Sequence, residues 1–310
     1  MTNDLTIKPT PHSLKAWIQV FRIFSYTAAI IPILLGAAMA MSSNVDNIRW
    51  WLLPLILPAG LLIQAGTNLV NEYYDLKKGV DRPDSHGSSR ALVDQLLNPT
   101  HVLIAGLTCF ALSAAIGIIF VSIHGWPILM LGVFGIIAGL CYTAAPVAYK
   151  YIGIGDPAVF FLMGPLMVIG SFFVLTATFN YSVLLVSIPV GFLVTGILSG
   201  NNLRDITHDK SADIETTASL LGHRAAKWEY SSLIIGAYFT TLIMICFGTL
   251  PYWSLITLLT LPIGIKNIKT ALFSKPNCPT DVIALDVQTA QLHLLFGLLL
   301  IISVVLGALI

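Results

Sequence analysis

The sequence predicts an all-α integral membrane protein with nine transmembrane helices. Its 310 residues are 56% hydrophobic and only 10% charged, and the mean hydropathy is +0.85. A water-soluble domain needs a more polar surface, so lipid is the expected solvent for most of the chain. The apolar residues form continuous runs rather than an alternating pattern, which favours helices over the strands of a membrane barrel.

Nine apolar runs are long enough to cross the hydrocarbon core, which takes about 20 helical residues. They lie near residues 20–42, 50–73, 101–122, 125–143, 155–178, 182–201, 230–249, 252–272 and 290–310. No Pro-, Gly- or Ser-rich linker divides them, so we expect a cytoplasmic tail at residues 1–19 and one domain at residues 20–310. The first run lacks a small-residue cleavage signature, so we expect it to be a helix of the mature protein.

Positive charge is concentrated on one side of this predicted topology. With a cytoplasmic N-terminus, 15 of the 16 Lys and Arg residues fall in cytoplasmic segments, and only Arg49 lies opposite. This bias predicts that the C-terminus lies on the opposite side of the membrane. Chemistry that uses charge is therefore expected at the cytoplasmic face. Because no organelle-targeting segment is recognisable, a bacterial or archaeal plasma membrane is the expected location.

A first polar cluster interrupts the cytoplasmic end of the second run. Four amide and carboxylate side chains fall within an arc of about 100° on a helix: Asn68, Asn71, Glu72 and Asp75. The helix is expected to end near Gly79, with Asp81 just beyond it.

A second cluster follows the sixth run. Three aspartates recur every four residues, at Asp205, Asp209 and Asp213, and on a helix they drift only about 40° per step. Like charges stacked on one face repel, so a compensating cation is expected. Mg²⁺ prefers such hard oxygen ligands and often binds through a few carboxylates plus substrate phosphates. Ordinary juxtamembrane charge is the alternative, but two clusters in helical register on one membrane face favour a diphosphate clamp.

The two clusters resemble the paired Asp-rich motifs of the UbiA superfamily of intramembrane prenyltransferases. In this sequence the first motif is matched by Asn71-Glu-Tyr-Tyr-Asp75 with Lys77-Lys78-Gly79-Val-Asp81. The second is matched by Asn202-Leu-Arg-Asp205 with Asp209. Other segments look like landmarks of the 1,4-dihydroxy-2-naphthoate polyprenyltransferase branch: Arg90-Ala-Leu-Val, Tyr142-Thr-Ala-Ala-Pro146, Gly153-Ile-Gly155-Asp156 and Gly164-Pro165. The resemblance covers about residues 17–310. The chain departs from it at Glu72, where Asp is common, and after Asp209, where a Gly-Lys-x-Thr element is replaced.

The resemblance implies a nine-helix bundle around a central cavity and Mg²⁺-dependent transfer of a polyprenyl group from its diphosphate to an aromatic acid. In the menaquinone route the acceptor is 1,4-dihydroxy-2-naphthoate, and diphosphate and CO₂ are released. Expected metal ligands are Asn71, Asp75, Asp81, Asp205, Asp209 and Asp213. Expected catalytic residues are Asp75, Asp81, Asp205 and Asp209. Expected substrate-binding residues are Asn68, Asn71, Arg90, Tyr142, Lys150, Asn202, Arg204 and Lys210.

Several expectations stay open on sequence alone. Tyr73, Tyr74 and Tyr142 are candidates to shield an allylic cation by their ring faces, although Tyr73 and Tyr74 also suit a membrane interface. Gly135 and Gly139 predict close helix packing. Other acceptors, namely homogentisate, 4-hydroxybenzoate or a porphyrin, are alternatives. An ion-coupled transporter is an alternative from another class, but its acids usually lie near the midplane. The partners expected are the two substrates and membrane lipid, with no nucleic acid and no obligate protein.

Overall fold

The computed structural model describes residues 13–83, 85 and 89–310, and these residues are predominantly helical. Most of the expected tail, residues 1–12, lies outside the described residues. The helices are α1 (Leu14–Phe21), α2 (Thr27–Met41), α3 (Leu53–Lys77), α4 (Pro99–His124), α5 (Trp126–Cys141), α6 (Gly155–Phe161), α7 (Met167–Thr176), α8 (Tyr181–Ser211), α9 (Thr217–Leu221), α10 (His223–Cys246), α11 (Leu261–Phe273) and α12 (Leu285–Leu309). A π-helical turn, Leu162–Leu166, joins α6 to α7, and a 3₁₀ stretch, Tyr252–Thr260, leads into α11.

Eight helical segments among the described residues are long and apolar enough to cross a membrane. They are Ile23–Met41, Trp50–Lys77, Pro99–His124, Gly155–Thr176, Tyr181–Ser211, His223–Cys246, Tyr252–Phe273 and Pro279–Leu309. The remaining predicted span corresponds to α5, which has only 16 residues and is about 24 Å long at 1.5 Å per residue. The prediction of an all-α membrane protein is confirmed, whereas the count of nine spans stays a prediction.

Glycines let the long helices approach closely around a core formed mainly by α2, α7, α8, α10 and α12. A Cβ atom at Gly36 would lie 2.5 Å from the carbonyl oxygen of Val168, and one at Gly164 would lie 2.6 Å from the Gly191 Cα. Small residues of this kind bring backbones together where lipid provides no hydrophobic drive. These contacts hold α2 against α7, and the π-helical turn against the middle of α8.

The packing prediction for α5 holds at one glycine and fails at the other. A Cβ at Gly139 would lie 2.8 Å from Thr67 Oγ1 and 3.0 Å from the Phe110 ring, so this residue packs as expected. A Cβ at Gly135 would have no neighbour within 4 Å, because Gly135 lines a large cavity. The prediction of close packing at Gly135 is therefore wrong.

Two helix ends bring the acidic motifs together. The helix α3 ends before Gly79, which has a φ of 69°, and the backbone N–H groups of Val80 and Asp81 donate to the carbonyl of Asp75 at 2.8 and 3.1 Å. The chain thus folds back and brings Asp81 beside Asp75, as expected.

The helix α8 carries the second motif but stops at Ser211. Asp213 follows in a left-handed conformation, with a φ of 54°, and its side chain is exposed. The prediction that three aspartates continue along one helical face is therefore wrong at Asp213, because the helix ends two residues before it.

Candidate active site

Two cavities adjoin where α3, α8 and the α5–α6 connection meet. The larger has a volume of about 440 Å³ and a mainly apolar wall, and the smaller has about 30 Å³ and a mainly charged and polar wall. Arg22, Lys150 and Asn201 line both. An elongated ligand with a charged head and a hydrocarbon tail matches this pair of spaces.

The small cavity collects acids from both motifs. Its described wall includes four carboxylates, Asp75, Asp81, Asp205 and Asp209. Two cations, Arg22 and Lys150, share that wall, which leaves a formal surplus of two negative charges. A surplus of this size suits an added divalent cation, because buried charge is costly unless it is paired.

Asp75 is held by the connection between α5 and α6. Lys150 Nζ lies 2.6 Å from Asp75 Oδ2 and 3.0 Å from Asn71 Oδ1, and Tyr151 OH donates to Asp75 Oδ1 at 2.7 Å. The Lys150 backbone N–H donates to the carbonyl of Tyr142 at 2.9 Å, which fixes this turn. Both oxygens of Asp75 therefore have partners, and one partner is the ammonium group of Lys150.

Asp81 is less well compensated. Its Oδ2 atom is buried and has no hydrogen-bond partner within the part of the chain that the structure describes. Burial, and then the charges of Asp75 and Glu72, raise the pKa of Asp81 to about 8. A buried carboxylate oxygen without a donor at an acid-lined cavity fits a metal ligand. No three Asp, Glu, His or Cys side chains in residues 13–83, 85 and 89–310 converge as a ready metal cage.

Glu72 lies behind the cavity wall rather than on it. Arg22 Nη2 lies 3.1 Å from Glu72 Oε2, and the Ser89 hydroxyl donates to Glu72 Oε1. The Glu72 side chain is 1% exposed. The carboxylate therefore anchors Arg22, which in turn lines both cavities.

The second motif is supported by neighbouring loops. Asp209 Oδ2 accepts a hydrogen bond from Thr216 Oγ1 at 3.1 Å. Asn202 Nδ2 donates to the buried Asp156 at 3.1 Å, so the Gly-Ile-Gly-Asp segment orients this part of α8. His208 also lines the small cavity, and its ring bonds the carbonyl of Val80.

The cavities bring together most of the predicted residues. Those on the walls are Asn68, Asn71, Asp75, Asp81, Tyr142, Lys150, Asn202, Asp205 and Asp209. Tyr142 and Tyr149 meet edge to face, with ring centroids 5.3 Å apart, beside Lys150. Tyr73 and Tyr74 are not among the described wall residues; they pack on each other, with Lys77 nearby.

Four predicted residues are not among the described residues that line either cavity: Arg90, Arg204, Lys210 and Asp213. Arg90 pairs with Asp94 at 3.0 Å and donates to the carbonyl of Ser85. Lys210 is exposed near the end of α8. Arg204 is buried and directs its guanidinium toward α12. The structure thus places these four side chains away from the walls of both cavities, and their contact with the diphosphate stays a prediction.

Sequence reasoning missed several wall and supporting residues, namely Arg22, Tyr149, Tyr151, Asn201, Thr216 and Asp286. Arg22 had a usable signal, because an arginine at the edge of an apolar run is expensive and marks a functional site by default. Tyr151 had none beyond its position next to Lys150. Asp286 lies 82 residues from Arg204, so only tertiary structure reveals their contact.

Comparison with known proteins identifies the class. The profile of the UbiA prenyltransferase family matches residues 29–279. The chain belongs to this family of membrane prenyltransferases.

Two relatives cover nearly the whole chain. It is 31% identical to the 1,4-dihydroxy-2-naphthoate octaprenyltransferase of Bacillus subtilis (strain 168), over 93% of this chain and 92% of that protein. It is 30% identical to UbiA prenyltransferase domain-containing protein 1 of Mus musculus, over 96% of this chain and 85% of that protein.

Solved structures share the fold at low identity. An apo UbiA homologue from Aeropyrum pernix K1 has a TM-score of 0.68 at 14% identity and covers 91% of this chain and 98% of its own. A UbiA homologue from Archaeoglobus fulgidus bound to DMAPP and Mg²⁺ has a TM-score of 0.51 at 15% identity, over 92% and 98% of the two chains. These likenesses confirm the all-helical fold.

Proposed function

We propose that this protein transfers a polyprenyl group from polyprenyl diphosphate to 1,4-dihydroxy-2-naphthoate and releases diphosphate and CO₂, a step of menaquinone biosynthesis. The observation that carries the proposal is the joining of an acid-lined cavity to a large apolar one in a UbiA-family chain. The B. subtilis relative supports the acceptor, because it is named a 1,4-dihydroxy-2-naphthoate octaprenyltransferase and matches 93% of this chain.

The cofactor is Mg²⁺, by the fit of the acid-lined cavity and by the Mg²⁺ bound in the A. fulgidus homologue. Asn71, Asp75, Asp81, Asp205 and Asp209 would hold it. When bound, Mg²⁺ neutralises the diphosphate and makes it a better leaving group. Mg²⁺ usually binds through one or two carboxylates plus substrate oxygens. A cavity that offers carboxylates from both α3 and α8 suits this coordination.

The residues at the junction of the cavities handle the developing charges. Lys150 and Arg22 line both spaces, where they donate to the departing diphosphate as the allylic C–O bond breaks. The Tyr142 and Tyr149 ring faces lie at the same junction and stabilise the allylic cation. The ring carbon that carries the acceptor's carboxylate then forms the new C–C bond with the allylic carbon. The electrons of its bond to the carboxylate restore the aromatic ring as CO₂ leaves.

The large cavity has a polar patch that suits the aromatic acceptor. Gln64 and Asn68 lie on the same face of α3 as Asn71, and both donate to the Ser25 hydroxyl, at 3.3 and 2.9 Å. A hydrocarbon tail offers these amides no hydrogen bond, so the polar aromatic substrate lies against α3. The apolar tail lies along the apolar part of the wall, which includes Gly135.

Placement in the membrane follows from charge. We assign α5 as the short ninth span, with a cytoplasmic N-terminus and the C-terminus opposite, because 15 of the 16 Lys and Arg residues then lie on the cytoplasmic side. Residues 20–310 form one prenyltransferase domain, and the active site faces the cytoplasm of a bacterial or archaeal plasma membrane. The prenyl substrate enters from membrane lipid.

A product assay on purified protein in detergent or liposomes tests the proposal. Polyprenyl diphosphate is supplied with 1,4-dihydroxy-2-naphthoate, homogentisate, 4-hydroxybenzoate or a porphyrin, first with Mg²⁺ and then with a chelator. Chelator-sensitive formation of a prenylated naphthol supports it, and prenylation of another acceptor alone refutes the naphthoate assignment. No prenylation of any acceptor refutes the enzyme and favours transport.

Two variants test the site within that assay. Asp75→Ala and Asp205→Ala should each lower turnover by at least about 100-fold, since both remove charge stabilisation at the diphosphate. Asp46→Ala, at an exposed aspartate remote from the cavities, is the matched control and should retain activity. Substantial turnover by either cavity variant would show that the two-motif clamp is wrong.

A further inference from the structure

The guanidinium of Arg204 is fully engaged inside the protein. Its five N–H groups have five acceptors. Nε and Nη2 donate to the two oxygens of Asp205 at 3.0 Å each, Nη1 donates to Asp286 Oδ2 at 2.9 Å and to the carbonyl of Ile283 at 3.3 Å, and Nη2 also reaches Asn201. Because no donor is left over, this arginine holds other protein groups rather than the diphosphate.

The pairing with Asp205 is unusual for a helix. Adjacent residues on a helix point about 100° apart and do not normally face each other. Here the guanidinium of Arg204 donates to both carboxylate oxygens of the next residue, Asp205. This bidentate pair fixes the Asp205 carboxylate at the small cavity. Bidentate pairs of this kind restrict geometry as well as adding energy.

Asp286 holds the far side of that fork. It lies in the first turn of α12, where the helix dipole favours a carboxylate, and its Oδ1 accepts from the Val287 N–H at 2.8 Å. The helices α8 and α12 approach closely at this point, because a Cβ at Gly200 on α8 would lie only 3.3 Å from the Asp286 backbone nitrogen. Asp286 lines the large cavity but is only 7% exposed, so the pair is largely shielded from water.

We infer that Asp286 is a positioning residue for the metal ligand Asp205. Through Arg204 it orients the Asp205 carboxylate toward the small cavity and keeps the negative charge of Asp205 available to a divalent cation. This rests on the proposed function. With two carboxylates sharing one guanidinium, the triad has a net charge of −1. Without the charge of Asp286, Arg204 neutralises Asp205 alone. Losing the orientation of Asp205 and losing the net negative charge both weaken metal binding. A variant without the Asp286 charge should therefore have a lower affinity for a divalent cation by either route.

Metal binding can be measured without the prenyl or aromatic substrates. Mn²⁺ is titrated into purified protein with inorganic pyrophosphate, and free Mn²⁺ is followed by electron paramagnetic resonance. Asp286→Asn should weaken Mn²⁺ binding by at least about tenfold, the usual effect of losing a partner behind a metal ligand. Asp286→Glu keeps the charge and should restore most of the affinity. In the transfer assay, the Mg²⁺ requirement should rise in parallel, whereas the KM for polyprenyl diphosphate at saturating Mg²⁺ should not.

Asp281→Asn is the matched control, because it removes the same charge from an exposed position on the connection that leads into α12 and should leave Mn²⁺ binding unchanged. If Asp286→Asn unfolds, Arg204→Lys replaces it: a lysine keeps the charge but cannot form the fork, and Mn²⁺ affinity should fall similarly.

The outcomes separate this inference from the proposed function. A folded Asp286→Asn variant with unchanged Mn²⁺ affinity overturns the positioning role, even if the protein prenylates the naphthoate. Weakened Mn²⁺ binding in a protein that prenylates no acceptor keeps the positioning role and refutes the reaction. Failure of the unsubstituted protein to bind Mn²⁺ with pyrophosphate refutes both.

Discussion

Replacing Lys150 with Met removes a cation that stands where a metal ion is expected. Its Nζ lies 2.6 Å from Asp75 Oδ2 and 3.0 Å from Asn71 Oδ1, and the side chains of the ion pair are only 13% and 3% exposed. Two unit charges 2.6 Å apart attract by about 6 kcal/mol at an effective dielectric constant of about 20. Desolvation offsets much of this attraction, but removing one partner of a buried pair costs about 3–5 kcal/mol.

Without metal, Lys150→Met should therefore be clearly less stable than the parent. At about 2 °C per kcal/mol, the loss corresponds to a fall in unfolding temperature of about 6–10 °C. Mg²⁺ without pyrophosphate should then stabilise the variant more than the parent. In the parent, Mg²⁺ must first displace the ammonium from Asp75, whereas in the variant it meets an uncompensated carboxylate.

Thermal unfolding in detergent measures both effects, first with chelator and then with Mg²⁺ but no pyrophosphate, because Lys150 is also expected to contact the diphosphate. Lys266→Met on α11 is the control, because this lysine is exposed and its loss should change stability by no more than about 0.5 kcal/mol. Equal stability of Lys150→Met and parent in chelator would show that the ammonium does not compensate Asp75. Equal stabilisation of both by metal would show that Lys150 does not occupy a metal position.

Two further predictions concern the tail and the pH. Gly135→Leu should fold, because a Cβ there meets nothing within 4 Å and leucine favours a helix over glycine by somewhat less than about 1 kcal/mol. When polyprenyl diphosphates of different length compete, the variant should prefer shorter tails than the parent does. An unchanged preference would place the tail elsewhere. Below about pH 8, Asp81 holds a proton, because burial and the charges of Asp75 and Glu72 raise its pKa to about 8. Since the metal binds the deprotonated carboxylate, the Mg²⁺ needed for half-maximal activity should rise as pH falls from 8 to 6, by up to about tenfold per unit. A Mg²⁺ requirement that stays constant across this range would contradict that role.

The parts of the site that were predictable from sequence are local ones. Asn71 and Asp75 share a helical face because of the α-helical repeat alone, and Gly79 indicates where the helix turns. The failure at Asp213 is also local in origin, because the same repeat was extended past the end of α8 at Ser211. Periodicity shows which residues share a face but gives only a weak signal for where the helix stops.

The orientation of charged side chains was not predictable. An arginine beside an aspartate at a helix end can face a substrate or the protein interior. The local sequence around Arg204 does not distinguish these two orientations. Asp286, 82 residues away, decides the direction. Tyr151 likewise acquires its contact with Asp75 from a segment 76 residues along the chain.

The pairing of charges explains which acids remain for a metal. Glu72 is paired with Arg22, Asp75 with Lys150, and Asp205 with Arg204. Asp81 and Asp209 have no ion pair among residues 13–83, 85 and 89–310, and both line the small cavity. Each motif thus contributes one uncompensated acid to the same small space. Because a buried carboxylate is strongly unfavourable in its ionised form unless a cation pairs with it, these two acids gain most from a divalent cation. A metal bound by both would link the two motifs.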